Sequence, residues 1–273
     1  MRTLALGIVS DEITPDFQEA VRYGTAWGIT SYEIRCLTSG RIPSVDPNEL
    51  NAVVQSVQEQ SLHITAVSPG IFKLPLSETE ALEHEITDVL PRSLDAAERL
   101  GAGLVIVFGF KKSPDDPPDN YRKAVALLRR AAQAAEGRSI RIAVENEPGF
   151  WCDNGSNTAR MLRDVGSEFL GANWDPCNSS GTDEKPFPDG YRAIRDHILN
   201  VHVKDTIKGA LVECVPVGEG IIDWRGQLEA LYRDGIVDRV TIETHCLPLV
   251  EKSRQNVETL NRMIGSITQQ SRN

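Results

Sequence analysis

Two rhythms of apolar and polar positions alternate along the chain. One is a set of short, nearly continuous Val/Ile/Leu runs: LALGIV (4–9), SYEIRC (31–36), LHITAV (62–67), GLVIVF (103–108), IRIAVE (140–145), FLGANWD (169–175), LNVHVK (199–204) and RVTIE (239–243). Their length and β-branched content predict eight strands. Their lack of strict alternation suits parallel strands covered on both faces.

Between the runs lie longer stretches with helical spacing. In TPDFQEAVRYGTAWG, Phe17, Ala20, Val21, Gly24 and Trp27 fall on one helical face, and Thr14 and Pro15 read as N-cap and first turn. DPNELNAVVQSVQEQ repeats that start at Asp46 and Pro47. SETEALEHEITDVL carries a capping-box pattern, Ser77 with Glu80. NYRKAVALLRRAAQAAEG ends at Gly137, a C′ glycine. NTARMLRDVG, DWRGQLEALYRDG and residues 248–270 supply further helices, and residues 188–197 give a weaker helical signal.

Eight strand–helix alternations predict an α/β fold, a (β/α)8 TIM barrel forming a single domain over residues 1–273. A doubly wound open sheet is the alternative, but GIVSDE after the first strand lacks a Gly-rich phosphate turn. Helix-to-strand links are tight, at 28–30, 101–102 and 137–139. Strand-to-helix links are long, at 109–119, 146–156, 176–188 and 205–222. In such barrels the face bearing the long loops holds the active site.

Composition narrows the function classes. The 273 residues carry 29 Lys+Arg against 39 Asp+Glu, a net charge of −10. That excess argues against nucleic acid or an anionic membrane as partner, since both require a basic face. Cys36, Cys152, Cys177, Cys214 and Cys246 are scattered, with no C-x-x-C pair, as in a reduced, cytoplasmic protein. MRTLALGIVSDE does not read as a signal peptide, and no run approaches a membrane span.

Against this ordinary background, four consecutive strands end in ionisable side chains: Glu145 in VENEPG, Asp175 in NWDPCN, His202 in VHVKD and Glu243 in VTIETH. In a barrel these ends share one rim and point at the axis. Three carboxylates and an imidazole gathered in an apolar mouth repel one another and lose hydration. A divalent cation removes that conflict. Three oxygen donors and one nitrogen suit Mn2+ or Mg2+ best, with Co2+, Fe2+ or Zn2+ as alternatives.

SDEI, YEIR, VENEPG, WDPCN, HVKD, VGEGIIDW and IETH, in that order, resemble the xylose-isomerase-like barrels. More narrowly they resemble the sugar phosphate isomerase/epimerase group, which includes ketose 3-epimerases, hydroxypyruvate isomerase and inosose dehydratase. The resemblance spans about residues 4–260. It implies that Glu145, Asp175, His202 and Glu243 are metal ligands and that Glu145 and Glu243 are also the acid/base pair. The ketose 3-epimerases carry a His three residues after the strand-six Asp and a Glu six residues after the strand-five Glu. Here those positions are Asn178 and Trp151, so another member of the group fits better.

The expected activity is isomerisation or epimerisation of a sugar, sugar phosphate or keto acid through an enediolate. Alternatives are a metal-dependent dehydratase of the same superfamily, acting on an inosose or dehydroshikimate-like substrate, and a non-catalytic sugar-binding barrel or enzyme subunit. An AP-endonuclease-like repair enzyme needs more histidines and a basic face.

Around the core set, Lys204 either holds substrate or pairs with Asp175 or Glu145. Asp205 either orients His202 or caps the next turn. Asn178 is read as a hydroxyl partner, Glu219 as a substrate contact or a turn charge, and Lys73 as an anion contact or an exposed lysine. Trp151 stacks on a sugar or packs in the core. Arg35 is a mouth-lining candidate paired with Glu33. His245 reads as a loop residue or as a group supporting the ligands from behind, and His63, His84 and His197 as structural. Cys177 and Cys246 lack the His partner that thiol catalysis requires. The partner expected is a sugar-like small molecule, with a homo-oligomer paired through rim loops as a further option.

Overall fold

The computed structural model describes residues 4–208 and 213–270. Eight parallel strands close into a barrel: β1 Ala5–Val9, β2 Ser31–Ile34, β3 His63–Val67, β4 Leu104–Phe108, β5 Arg141–Glu145, β6 Leu170–Trp174, β7 Ile198–Val203 and β8 Arg239–Ile242. Each strand pairs with its neighbours in sequence, and β1 closes on β8 through Ala5↔Arg239 to Ile8↔Ile242. All eight expected strands are present, and the fold is the (β/α)8 barrel.

The helices α1 Phe17–Ala26, α2 Pro47–Glu59, α3 Leu90–Leu100, α4 Asn120–Ala135, α5 Gly155–Val165, α6 Trp224–Asp234 and α7 Leu249–Gln270 alternate with these strands. Their apolar faces and the outward residues of the strands, such as Val105, Val107, Ile142 and Val144, form the main core. A second, small core fills the barrel interior: Ala66, Ile106 and Ala143, with Leu104 and Leu199 against them. The axis is therefore packed shut toward the N-terminal end, and the chemistry is confined to the other end.

Several local starts differ from expectation. Asp16, not Thr14, caps α1, accepting from the Glu19 amide at 3.1 Å. Thr14 instead receives the Asp16 amide at 3.4 Å, because a start two residues later brings Asp16 onto the first free N–H groups. The Ser77–Glu80 capping box does not form. A short helix runs Thr79–His84, and Glu78 at its N-cap makes no side-chain bond. Residues 186–197 are a series of short helical turns rather than one helix. Asp46 and Asp223 do cap α2 and α6, accepting from Asn48 at 2.7 Å and Gly226 at 2.8 Å.

Two small hairpins sit on the rim. Cys36–Leu37 pairs with Gly40–Arg41, and Asp205–Thr206 pairs with Cys214–Val215. Within the expected 205–222 rim loop, residues 209–212 lie outside the described residues. Among the described residues no helix is long and apolar enough to cross a membrane.

Candidate active site

Glu145 is the last residue of β5, and Asp175, Lys204 and Glu243 each follow the last residue of β6, β7 and β8. His202 lies within β7, two residues before Lys204, so the period of two turns both inward. One donor atom from each of Glu145, Asp175, His202 and Glu243 lies within 4.8 Å of the other three, and all four side chains are buried.

The surrounding backbone fixes this geometry. Asn146 accepts from the Asp175 amide at 2.9 Å and donates to the Asp175 carbonyl at 2.8 Å, locking the ends of β5 and β6 together. Asp175 Oδ1 accepts from the Asn178 amide at 3.0 Å, capping the turn Pro176–Ser179 and leaving Oδ2 turned to the axis. The EN and D-P-x-N patterns thus have a mechanical reading: one asparagine clamps two strand ends, the other bridges them.

Asn178 is not placed to meet a hydroxyl. It is fully buried and donates to Asn146 O at 2.8 Å and to Glu145 Oε1 at 3.2 Å. Asn173 donates to Glu145 Oε2 at 3.0 Å, so Glu145 is held by two neutral amides. Glu243 is held by charge: Arg35 Nη1 at 2.9 Å on Oε1, and Lys204 Nζ at 2.8 Å on Oε2. Lys204 also lies 2.9 Å from Asp175 Oδ2, choosing Asp175 and Glu243 as partners.

His202 Nε2 meets Glu33 Oε2 at 2.8 Å, and Nδ1 stands 3.5 Å from both Glu145 Oε2 and Glu243 Oε2 without a hydrogen bond. Donation from Nε2 to Glu33 aims Nδ1 at the carboxylates, where a cation taking the place of its proton would find it as a ligand. Glu33 is in turn fixed by Asn200 Nδ2 at 2.7 Å. The expected Glu33–Arg35 ion pair is absent. The two side chains share a strand face but diverge, Glu33 to His202 and Arg35 to Asp11, Glu12 and Glu243.

The charges do not balance. Asp11, Glu12, Glu33, Glu145, Asp175 and Glu243 bring six carboxylates, against two permanent cations, Arg35 and Lys204. Burial pushes Asp175 up, reinforced by Glu145 and Glu243. Burial works the same way on Glu243, but Lys204, His245 and His202 hold it well below the usual carboxylate range. Burial raises Glu145 as well, but His202 and Lys204 together leave it lowered. Burial opposes the charged form of His202, yet Glu33, Glu145 and Glu243 hold its pKa well above the ordinary value. An Nδ1 without a hydrogen bond, an Asp175 Oδ2 met by Lys204 alone and three carboxylates converging in a buried pocket fit a divalent cation. Glu12, Glu243 and His245 form a second trio of suitable donors, but Arg35 Nη2 at 2.6 Å from Glu12 already fills that role.

His245 lies in the loop after β8 and lines the mouth, so both of its readings hold. Its Nδ1 is 2.8 Å from Glu12 Oε1, and its amide donates to Glu12 Oε2 at 2.8 Å, in a backbone with φ of 51°. Asp205 does not touch His202. It gathers the amides of Thr206, Gly218, Gly220 and Ile222 at 2.9–3.3 Å, so of its two readings the cap is correct. A Cβ on Gly220 would fall 2.1 Å from Asp205 Oδ1, which explains the glycine in VGEGIID. Glu219 is exposed and accepts from Gln255 on α7 at 2.5 Å, pointing away from the site. Trp151 packs against Tyr121 and under Lys112, outside the cavity lining. Lys73 does line it, 3.9 Å over the Phe108 ring and 3.7 Å from Glu147. The cavity above the cluster measures about 240 Å³.

The chain is 27% identical over 146 residues to a 2-epi-5-epi-valiolone 7-phosphate 2-epimerase from Actinoplanes sp., covering 53% of each protein. It therefore spans about half the length of that curated relative. Among solved structures it is similar to an L-ribulose 3-epimerase, with a TM-score of 0.81, 14% identity, and 100% and 97% of the two chains covered. The IOLI protein with a bound zinc atom gives a TM-score of 0.79, 17% identity, and 98% and 99% coverage. At those identities the structures establish the fold alone. The sequence profile of the xylose isomerase-like TIM barrel family matches residues 21–263, and the chain belongs to that family.

Proposed function

We propose that this protein is a divalent-metal-dependent isomerase or epimerase acting on a sugar-like α-hydroxycarbonyl compound by proton transfer. The observation that carries the reading is the buried group Glu145, Asp175, His202 and Glu243, with His202 Nδ1 facing both glutamates. The relative's epimerase activity and the zinc of the IOLI structure support it.

These four side chains would hold the ion. A bound divalent cation supplies Lewis-acid polarisation of the substrate carbonyl and offsets the surplus negative charge. The chain's own residues do the rest. Glu243, kept ionised by Lys204 and Arg35, is ready to take a proton from carbon. Glu145, held by neutral amides, is the partner that, entering the turnover in its protonated form, returns one, and exchange with solvent moves the proton from Glu243 back to it. Delivery to the opposite face gives epimerisation; delivery to the adjacent carbon gives isomerisation. Lys204 and Arg35 remain as cations beside the oxygen that becomes negative, which stabilises an enediolate. Phe108 and the layer of Ala66, Ile106 and Ala143 beneath it exclude water from below.

The test is deuterium incorporation from D2O into candidate ketoses and keto acids by the metal-loaded protein. Exchange of a C–H bond without change of mass composition supports the proposal. Loss of water from the product would assign a dehydratase instead, and binding without exchange would leave a non-catalytic barrel.

A further inference from the structure

One cation in the cavity has no carboxylate to answer it. Arg35 meets three carboxylates, Lys204 meets two, and Lys73 stands beside Glu147. Arg41, at the end of the rim hairpin Gly40–Arg41, lines the same cavity, yet among the described residues no Asp or Glu forms an ion pair with it. Its Nε donates to Ser68 O at 3.1 Å, and Nη2 reaches Ser68 Oγ at 3.5 Å. The guanidinium lies against Gly70, where a Cβ would come within 3.0 Å of Cζ and Nε, and Gly70 has φ of +83°.

The guanidinium therefore packs closely on Gly70, whose left-handed backbone disfavours a side chain. Two of its five N–H groups are engaged, and the others are free to meet a ligand. Burial lowers its pKa and Arg35 adds to the shift, while Cys36, Asp11 and Glu145 act more weakly in the other direction from beyond contact. Lys73, over the Phe108 ring at the more open lip, adds a second positive end, with Glu147 matching it in charge. The guanidinium in the mouth with no carboxylate of the described residues in contact is thus Arg41, in the same cavity as Glu145 and Glu243. A planar, half-buried fork of donors suits an oxyanion bound through two hydrogen bonds.

We propose that Arg41, assisted by Lys73, is the subsite for an anionic group of the substrate, a phosphate monoester or a carboxylate, remote from the carbon that exchanges its proton. The assignment rests on the proton-transfer reading above for the rest of the site. It makes the substrate an anionic sugar derivative rather than a free ketose.

The experiment has two arms. In the first, inorganic phosphate and, separately, acetate are titrated calorimetrically into the Mn2+-loaded wild type and the R41Q, R41K, K73Q and D175N variants, with circular dichroism checking that each is folded. R41Q should weaken anion binding by about 10- to 100-fold, the loss expected for hydrogen bonds to a charged group. R41K should retain part of it, and K73Q should cost a few-fold. Tighter phosphate than acetate binding assigns a phosphate monoester; the reverse assigns a carboxylate. Binding weakened by D175N and untouched by R41Q would put the anion on the metal and overturn the subsite.

In the second arm, deuterium exchange is compared for ketose phosphates, keto sugar acids and free ketoses. An anionic substrate should be preferred by about 100-fold in kcat/KM, since remote binding energy is used at the reacting carbon, and R41Q should abolish the preference. Equal rates for neutral and anionic ketoses would overturn the subsite while leaving the proton-transfer reading intact. Arg41-dependent phosphate binding with no exchange on any substrate would do the opposite.

Discussion

The barrel interior has two layers that share strands β5 and β7, and they are built on opposite principles. Toward the N-terminal end, Ala66, Ile106, Ala143, Leu104 and Leu199 pack as a small apolar core. A turn higher along the same walls stand Glu33, Glu145, His202, Lys204 and Glu243. On β5 the change takes two residues, from Ala143 to Glu145; on β7, Leu199 gives way to His202 and Lys204. The lower layer maximises contact and fills space. The upper layer gathers charges whose burial costs more than their pairing returns in most contexts. A chain that needed only a stable barrel would continue the apolar layer upward. That it does not is the strongest sign that the upper layer exists to act on something.

The contrast can be broken at either layer. The largest expected effect is at the top. E243Q keeps the shape of the side chain but removes the charge that Lys204 and Arg35 hold, and should slow C–H exchange by at least about 10²- to 10⁴-fold with the melting temperature nearly unchanged. An exchange rate equal to that of the wild type would remove Glu243 from the chemistry.

Truncation of the lower layer should do the reverse. Ile106 is wholly buried, and I106A should cost about 2–5 kcal/mol of stability by leaving a cavity. Urea unfolding would register it, and exchange per folded molecule should stay close to normal. A change below 1 kcal/mol would mean that this layer is not load-carrying packing.

Between the layers, Glu33 orients His202 without belonging to the proposed ligand set. E33Q should weaken metal affinity by about 10- to 100-fold, the usual cost of losing the partner of a ligating imidazole. Competition with a chromophoric chelator measures this, and unaltered affinity would leave Glu33 as an incidental neighbour. The smallest effect lies outside the barrel: D16A removes the cap of α1 and should cost about 0.5–2 kcal/mol, whereas T14A should cost less. Equal losses would return the cap to Thr14.

Much of this was legible in the sequence. The eight strands could be read because buried parallel strands leave short β-branched runs, and the four polar strand ends because side chains alternate with period two. What escaped depends on closure of the barrel. Glu33 and His202 are 169 positions apart and meet across the axis, and Arg35 reaches Glu243 over 208 positions. Local periodicity reports that such residues face inward but not which partner each will find. The Glu33–Arg35 pair was a plausible local choice overturned by stronger distant partners. His245, three residues past the end of β8, stayed between two readings because its orientation depends on Glu12, brought alongside by the β1–β8 seam. Arg41 was invisible because a two-residue strand pair on the rim leaves no periodic trace.

The central claim is that the upper layer is built around a divalent ion, and calorimetric titration of chelator-stripped protein with Mn2+ tests it most directly, with wild type and H202A side by side. The account predicts saturable binding of one ion per chain in the wild type, weakened by orders of magnitude when the Nδ1 donor is removed. Absence of binding in the wild type, or equal binding by H202A, would contradict it.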